Sequence, residues 1–100
     1  MISFEWDEVK AETNRQKHGI TFSRAKFVFE DPFALTEQDR IVTGELRWQT
    51  VGLVEGVAIL LVAHTIIERG EDELIRIVSA RLATRQERNR YEENRKNYAE

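Results

Sequence analysis

Arg76-Ile77-Val78-Ser79-Ala80-Arg81-Leu82-Ala83-Thr84-Arg85-Gln86-Glu87-Arg88 joins an apolar strand directly to a helix that carries almost nothing apolar. Arginines flank the junction, and the guanidinium group is the side chain best shaped for bidentate contact with phosphate or carboxylate oxygens. The segment therefore reads as an anion-handling edge. Thr84-Arg85-Gln86-Glu87 fits a capping box, in which the threonine hydroxyl and the glutamate carboxylate satisfy free backbone donors at a helix start. Thr84, Tyr91 and Tyr98 recur at heptad spacing, with Ala83 and Ala99 as the only aliphatic residues. Such a helix buries little by itself and needs a partner surface, which periodicity leaves open between the sheet, a second protein and RNA.

Upstream of the junction the pattern predicts a meander of three strands, at about residues 45 to 54, 57 to 65 and 73 to 81, preceded by a polar connection over 35 to 44. Glu55-Gly56 is suited to a two-residue hairpin turn. That turn pairs Arg47 with His64, Trp48 with Ala63 and Gln49 with Val62. The acidic loop from Glu68 to Asp72 leaves two registers for the next hairpin. In the favoured one Ile66 lies opposite Leu74, so Arg76 faces His64 and the side chains of Glu45, Arg47, His64 and Arg76 share a face. A slip by one residue puts Ile77 beside His64 and turns Arg76 away. A histidine at a strand end is otherwise most simply a hydrogen-bonded, inert one.

At the amino-terminal end, residues 2 to 5 read as a strand. Asp7 caps a helix running to about His18, closed by Gly19. Lys17 and His18 suit the negative end of its dipole. A second short helix is capped by Ser23, with Phe22 before the cap stapled to Phe27, and stops at Asp31-Pro32. Trp48 reads as core. Trp6 is open between a helix-entry anchor and an exposed platform.

One hundred residues predict a single α+β domain over positions 1-100 with one modest core. The chain has no cysteine, which excludes disulfides and thiolate metal sites and suits a reducing cytoplasm. Val57 to Ala63 is too short to span a membrane, and Met1 to Asp7 lacks the pattern of a signal peptide. The expectation is a cytoplasmic protein with no membrane association. Two isolated histidines without cysteine partners make a metal site improbable, and no cofactor motif is present. A net charge of -3 argues against a generic nucleic-acid coat. Between Arg76 and Tyr98, however, seven Arg or Lys stand against three Glu. That one-sided basic surface suits either RNA or a solvated helix laced with ion pairs.

Phe4-Glu5-Trp6-Asp7, Lys17-His18-Gly19, Phe22, Ala25, Val28-Phe29-Glu30-Asp31-Pro32, Glu45-Leu46-Arg47-Trp48, His64-Thr65, Arg76 to Arg81 and Ala83 to Glu92 together resemble the BrnT family of bacterial toxins. The resemblance runs from Phe4 to about Glu92 and rests on order and spacing. It implies a RelE-like toxin fold, with two N-terminal helices, an antiparallel β-sheet meander and a C-terminal helix. It also implies a toxin of a type II toxin-antitoxin system that cleaves RNA and inhibits translation, neutralised by a BrnA-like antitoxin with a ribbon-helix-helix domain. The expected assembly is a two-fold toxin-antitoxin heterotetramer that touches operator DNA only through the antitoxin. The chain departs from the family in its lower basicity and its acidic loop 68 to 73.

Metal-independent RNA cleavage needs a base for the 2′-hydroxyl, an acid for the leaving oxygen, and cations at the phosphorus centre. The expected catalytic set is His64, Arg76, Arg81, Glu87 and Arg88, with His64 or Glu87 carrying the proton, Arg76 and Arg81 on the scissile phosphate and Arg88 assisting. Lys17, His18, Arg47 and Tyr91 are expected to bind or stack on RNA. The family's junction residues carry over onto Arg81, Glu87 and Arg88 alone. The role of His64 rests on the register. The alternative function is a catalytically weak antitoxin-binding module that acts mainly in operon autoregulation.

Overall fold

The structure, a computed structural model, describes residues 1-99. Its elements are β1 (Ile2-Glu5), α1 (Glu8-His18), α2 (Phe22-Ala25), a 3-10 segment (Lys26-Glu30), β2 (Leu35-Val42), β3 (Glu45-Val54), β4 (Ala58-Arg69), β5 (Asp72-Leu82) and α3 (Arg85-Ala99). The strands form one sheet in the order β1-β5-β4-β3-β2. It is an α+β protein with a mixed sheet, because β1 runs parallel to β5 while the other pairs are antiparallel. The expected purely antiparallel meander is corrected at both edges. At one of them β1 is too short for periodicity to announce its direction. At the other, the polar connection is the strand β2, whose Thr36 to Ile41 are exposed, so neither face prints an apolar alternation. No described helix is long and apolar enough to cross a membrane.

Asp7 caps α1 as expected, its carboxylate accepting from the backbone N-H groups of Val9 and Lys10, and Gly19 closes the helix at φ 72°. The next helix starts two residues earlier than the sequence suggested. Thr21, not Ser23, is its cap, so Phe22 is the first helical residue and not the one before the cap, and the expected staple to Phe27 loses its geometry. Phe22 packs edge-on against Trp6 instead, which settles Trp6 as a helix-entry anchor.

α1, α2 and the 3-10 segment cover one face of the sheet. The main core lies there, built from Ile20, Phe22, Ala25, Val28, Val54, Leu60, Val62, Ile75, Ile77 and Ala80. Gly52 permits the close approach. A Cβ on it would stand 3.0 Å from both the Cβ and the carbonyl oxygen of Val28, so the 3-10 segment rests directly on the β3 backbone. A second cluster on the opposite face, Val51, Leu61, Ala83 and Tyr91, seats α3 over one end of the sheet.

Both predicted registers are corrected. Glu55 and Gly56 adopt positive φ (56° and 68°), and the N-H of Val57 donates to the carbonyl of Val54, so the turn itself forms. Pairing nevertheless resumes at Val54 with Ala58, and exposed Val57 stays out of the ladder. Trp48, not Arg47, therefore faces His64. On the other side His64 lies opposite Ile77, and Thr65 opposite Arg76. This is the slipped alternative, selected because it places Ile75 and Ile77 in the core with His64. A bulge follows: Ala63 pairs with Ser79, leaving Val78 as an extra residue on β5. The insertion returns Arg81 to the same face as Arg76, although five positions separate them.

Candidate functional site

The strand-to-helix junction holds an ion pair built into a helix cap. Arg81, on the α3 side of the sheet, donates from Nη1 to Glu87 Oε1 (2.8 Å) and from Nη2 to Oε2 (3.0 Å), a two-pronged pair. The same carboxylate accepts from the Thr84 N-H (2.8 Å), and Thr84 Oγ1 accepts from the Glu87 N-H (3.2 Å). The capping box and the ion pair are thus one network. It fixes Arg81 rigidly against the first turn of α3, where the helix dipole also favours an anion. The Arg81 guanidinium, helped by the backbone bonds, holds the Glu87 carboxyl down at about 2, against the opposing effect of burial. Arg81 is raised in turn, chiefly by its bond to Glu87.

Glu87 and its neighbours Thr84, Gln86, Asn89 and Arg90 line an open cleft of about 560 Å³. Arg85 and Arg88 project from the same turns of α3, exposed and, among the described residues, in no ion pair. Arg90 is tied to Glu37 of β2 at 2.9 Å. Arg81 and Glu87 are therefore together as predicted, with Arg88 one residue beyond.

The remaining predicted residues lie elsewhere. Arg76 is roughly 15 Å back along β5 from Arg81, given about 3.3 Å per residue, and is bonded to Glu45 at 2.5 Å. Arg47 joins that cluster, 3.5 Å from Glu45. Glu45, Arg47 and Arg76 do share a face, as expected, but His64 is not with them. Lys17 and His18 are exposed in the last turn of α1, where His18 lines a smaller cleft with Gly19, Arg24 and Leu82.

His64 is 0% exposed and belongs to the core. Its Nε2 is 2.7 Å from Thr50 Oγ1, which is 2.8 Å from Thr36 Oγ1, and its Nδ1 is 3.2 Å from the Thr65 carbonyl. A carbonyl only accepts, so Nδ1 carries the proton and Nε2 accepts from the Thr50 hydroxyl, an assignment made from the partners. The Phe29 ring edge closes the site at 4.9 Å between centroids. Burial lowers the His64 pKa below its ordinary value. The unfolded chain therefore binds this proton more readily, so stability is complete above the unfolded pKa near 6.5 and declines as pH falls below it. Denaturation midpoints measured between pH 8 and 5 are expected to fall in the wild type. The dependence should be flatter in His64→Gln, and equal slopes would contradict the assignment.

Tyr91 is likewise 0% exposed, so it does not present a ring for stacking. Its hydroxyl donates to Asp31, whose carboxylate also accepts from the Phe33 and Leu53 N-H groups at 2.9 and 2.8 Å. Burial and the Asp31 carboxylate push the tyrosine pKa upward. Asp31, read from sequence only as a helix stop, is the post that anchors α3 to β3 and so positions the junction. The Asp-Pro pair was the only sign of it. Asn14 is a second anchor, and nothing in the local pattern marks it. It is buried in α1, accepting from the Ala80 N-H and donating to the Ala80 and Ile20 carbonyls.

Residues 6-87 match the family described as "Ribonuclease toxin, BrnT, of type II toxin-antitoxin system". That places the protein in the class of ribonuclease toxins of type II toxin-antitoxin systems, a class that implies an antitoxin partner. The chain belongs to the BrnT family. The crystal structure of the Brucella abortus ribonuclease toxin BrnT is similar to it, with a TM-score of 0.58 at 23% identity over 85% of this chain and 100% of that one. At that identity the likeness is one of fold. No curated protein is matched by the sequence.

Proposed function

We propose that this toxin is a metal-independent endoribonuclease of RelE-like fold, with Arg81 on the scissile phosphate. The observation that carries the reading is the two-pronged Arg81-Glu87 pair, buttressed by a capping box at the edge of an open cleft, in a member of a ribonuclease toxin family. The 2′-hydroxyl gives its proton to water as its oxygen attacks the adjacent phosphorus, the bond to the 5′-oxygen breaks, that oxygen takes a proton from water, and the upstream chain ends in a 2′,3′-cyclic phosphate. Negative charge builds on the non-bridging oxygens during that step, and a guanidinium already held in place stabilises it without reorganising. Glu87 serves as the positioning residue. A carboxyl held at about 2, with both oxygens engaged, is a weak base at neutral pH.

Arg88 and Arg85 extend the positive field from the same helix turns. His64 is withdrawn from the reaction by its burial, and Tyr91 from RNA contact. The exposed His18 ends α1, and the cleft it shares with Leu82 and Leu60 opens on the sheet face opposite Arg81, so it does not carry the proton for this centre. In this reading cleavage inhibits translation in the cytoplasm, and a BrnA-like ribbon-helix-helix antitoxin neutralises the toxin in a two-fold heterotetramer. The net charge of -3 supports weak autonomous RNA affinity and substrates presented by a larger assembly.

Induction of the chain in cells, with and without a co-expressed antitoxin, tests this. Growth arrest with fragmented RNA, relieved by the antitoxin, is the expected result. Normal growth with intact RNA and a stable antitoxin complex would favour a module acting in operon autoregulation.

A further inference from the structure

Among the described residues, α3 covers its side of the sheet at the Arg81 end alone. On its open half, one carboxylate is shared by two guanidiniums: Glu45 bonds Arg76 Nη2 through both oxygens and lies 3.5 Å from Arg47 Nε. The cluster keeps an excess positive charge and unused donors, since each guanidinium carries five N-H groups. Two polar atoms here have no hydrogen-bond partner although they are buried, Arg47 Nε and Thr65 Oγ1, and they are the only such side-chain atoms among the described residues. Thr65 is 2% exposed and sits opposite Arg76 on this same face, so the long Arg76 side chain reaches across it to Glu45. Orphaned buried polar groups cost stability and call for an account.

We propose that this cluster is a second phosphate-binding subsite for the RNA backbone, gated by Glu45, and that the carboxylate occupies the place a phosphodiester takes in the complex. The inference rests on the cleavage reading above, and it names where the substrate goes beyond Arg81. The bulge at Val78 is the device that allows it. Without the extra residue Arg76 and Arg81 would point to opposite faces; with it both stand on one face of β5, roughly 15 Å apart at about 3.3 Å per residue. A single strand lying along β5 meets Arg81 first and the Arg47, Arg76 and Thr65 cluster a few nucleotides on. When its phosphate displaces Glu45, the guanidiniums exchange one anion for another, and the Thr65 hydroxyl gains an acceptor. An RNA backbone is favoured over an acidic peptide because the cluster continues the face of the cleavage centre and carries two forks, the geometry suited to phosphate.

The test uses the full toxin and two fully 2′-O-methylated oligoribonucleotides, a dinucleotide and an octanucleotide, with affinity measured against salt. Glu45→Gln is expected to tighten the octanucleotide roughly five-fold, and Arg76→Met to weaken it and reduce the salt slope by about 0.7, the value for one phosphate contact on a single strand. The dinucleotide should respond to neither substitution. Octanucleotide affinities unchanged in both variants would overturn the subsite, as would variants that alter only antitoxin affinity. Arg81→Ala, assayed for cleavage in parallel, separates the two claims: loss of cleavage there with no response at Glu45 removes the subsite alone. Intact cleavage there with a response at Glu45 removes the cleavage centre alone.

Discussion

Arg81→Ala is expected to lose RNA cleavage by about 100-fold to 1000-fold, the scale measured when one preorganised donor to a developing oxyanion is removed. Growth arrest should vanish with it. The substitution also leaves Glu87 without its charged partner, but the carboxylate keeps the Thr84 N-H and a path to solvent, so the helix cap survives. A stability loss on the order of 1 kcal/mol is expected for a partly exposed pair, too little to unfold the chain, and circular dichroism checks that point. Arg81→Lys keeps the charge and loses the fork, so it should recover only part of the rate. A fully active Arg81→Ala protein would remove the centre from this position.

The largest effect on the fold is expected at Asn14. β1 pairs with β5 only as far as Glu5 with Arg76, so the edge of β5 beyond that point lacks a neighbouring strand. The Asn14 amide takes the place of one: its Oδ1 accepts from the Ala80 N-H at 3.1 Å and its Nδ2 donates to the Ala80 carbonyl at 2.9 Å. A third bond, to the Ile20 carbonyl at 3.1 Å, ties the loop after α1 to the same spot. Asn14→Ala strands three buried backbone groups. At about 1-3 kcal/mol for each buried group left unsatisfied, with partial relief by water, the loss should be about 3 kcal/mol. For a chain of this size that lowers Tm by roughly 15 °C. Asn14→Asp should be at least as damaging, because it keeps the acceptor but sets a carboxylate against two carbonyls. Thermal melts checking both variants contradict the account if Asn14→Ala changes stability by no more than an ordinary surface substitution.

The parts of the fold legible in the sequence were those with local rules. Asp7, Gly19 and the Thr84 to Glu87 box announce helix ends through backbone chemistry that a few residues complete by themselves. The three long strands showed through their apolar content. What failed was register, because it is a contest between distant surfaces. One exposed residue, Val57, and one inserted residue, Val78, each shifted a pairing by a single step, and neither carries a signature a short window can hold. The register running from the Arg69-Asp72 turn set His64 opposite Ile77 in the core, and the Val78 bulge beyond it turned Arg81 to the face of Arg76. Tyr91 misled for a related reason: a tyrosine on a polar helix looks like a free platform until Asp31, sixty positions earlier, is seen to accept its hydroxyl. Arg81 with Glu87 came through intact because the pair lies six residues apart across one cap.

Treating bulk RNA, free and ribosome-bound, with purified antitoxin-free protein in excess EDTA, then identifying the new 3′ ends by mass spectrometry, tests most directly whether this junction cuts RNA by itself. Fragments ending in 2′,3′-cyclic phosphate, formed by the wild type and absent with Arg81→Ala, are the predicted result. Intact RNA with the wild type in both preparations, or cutting that appears only when a divalent metal is restored, would contradict it.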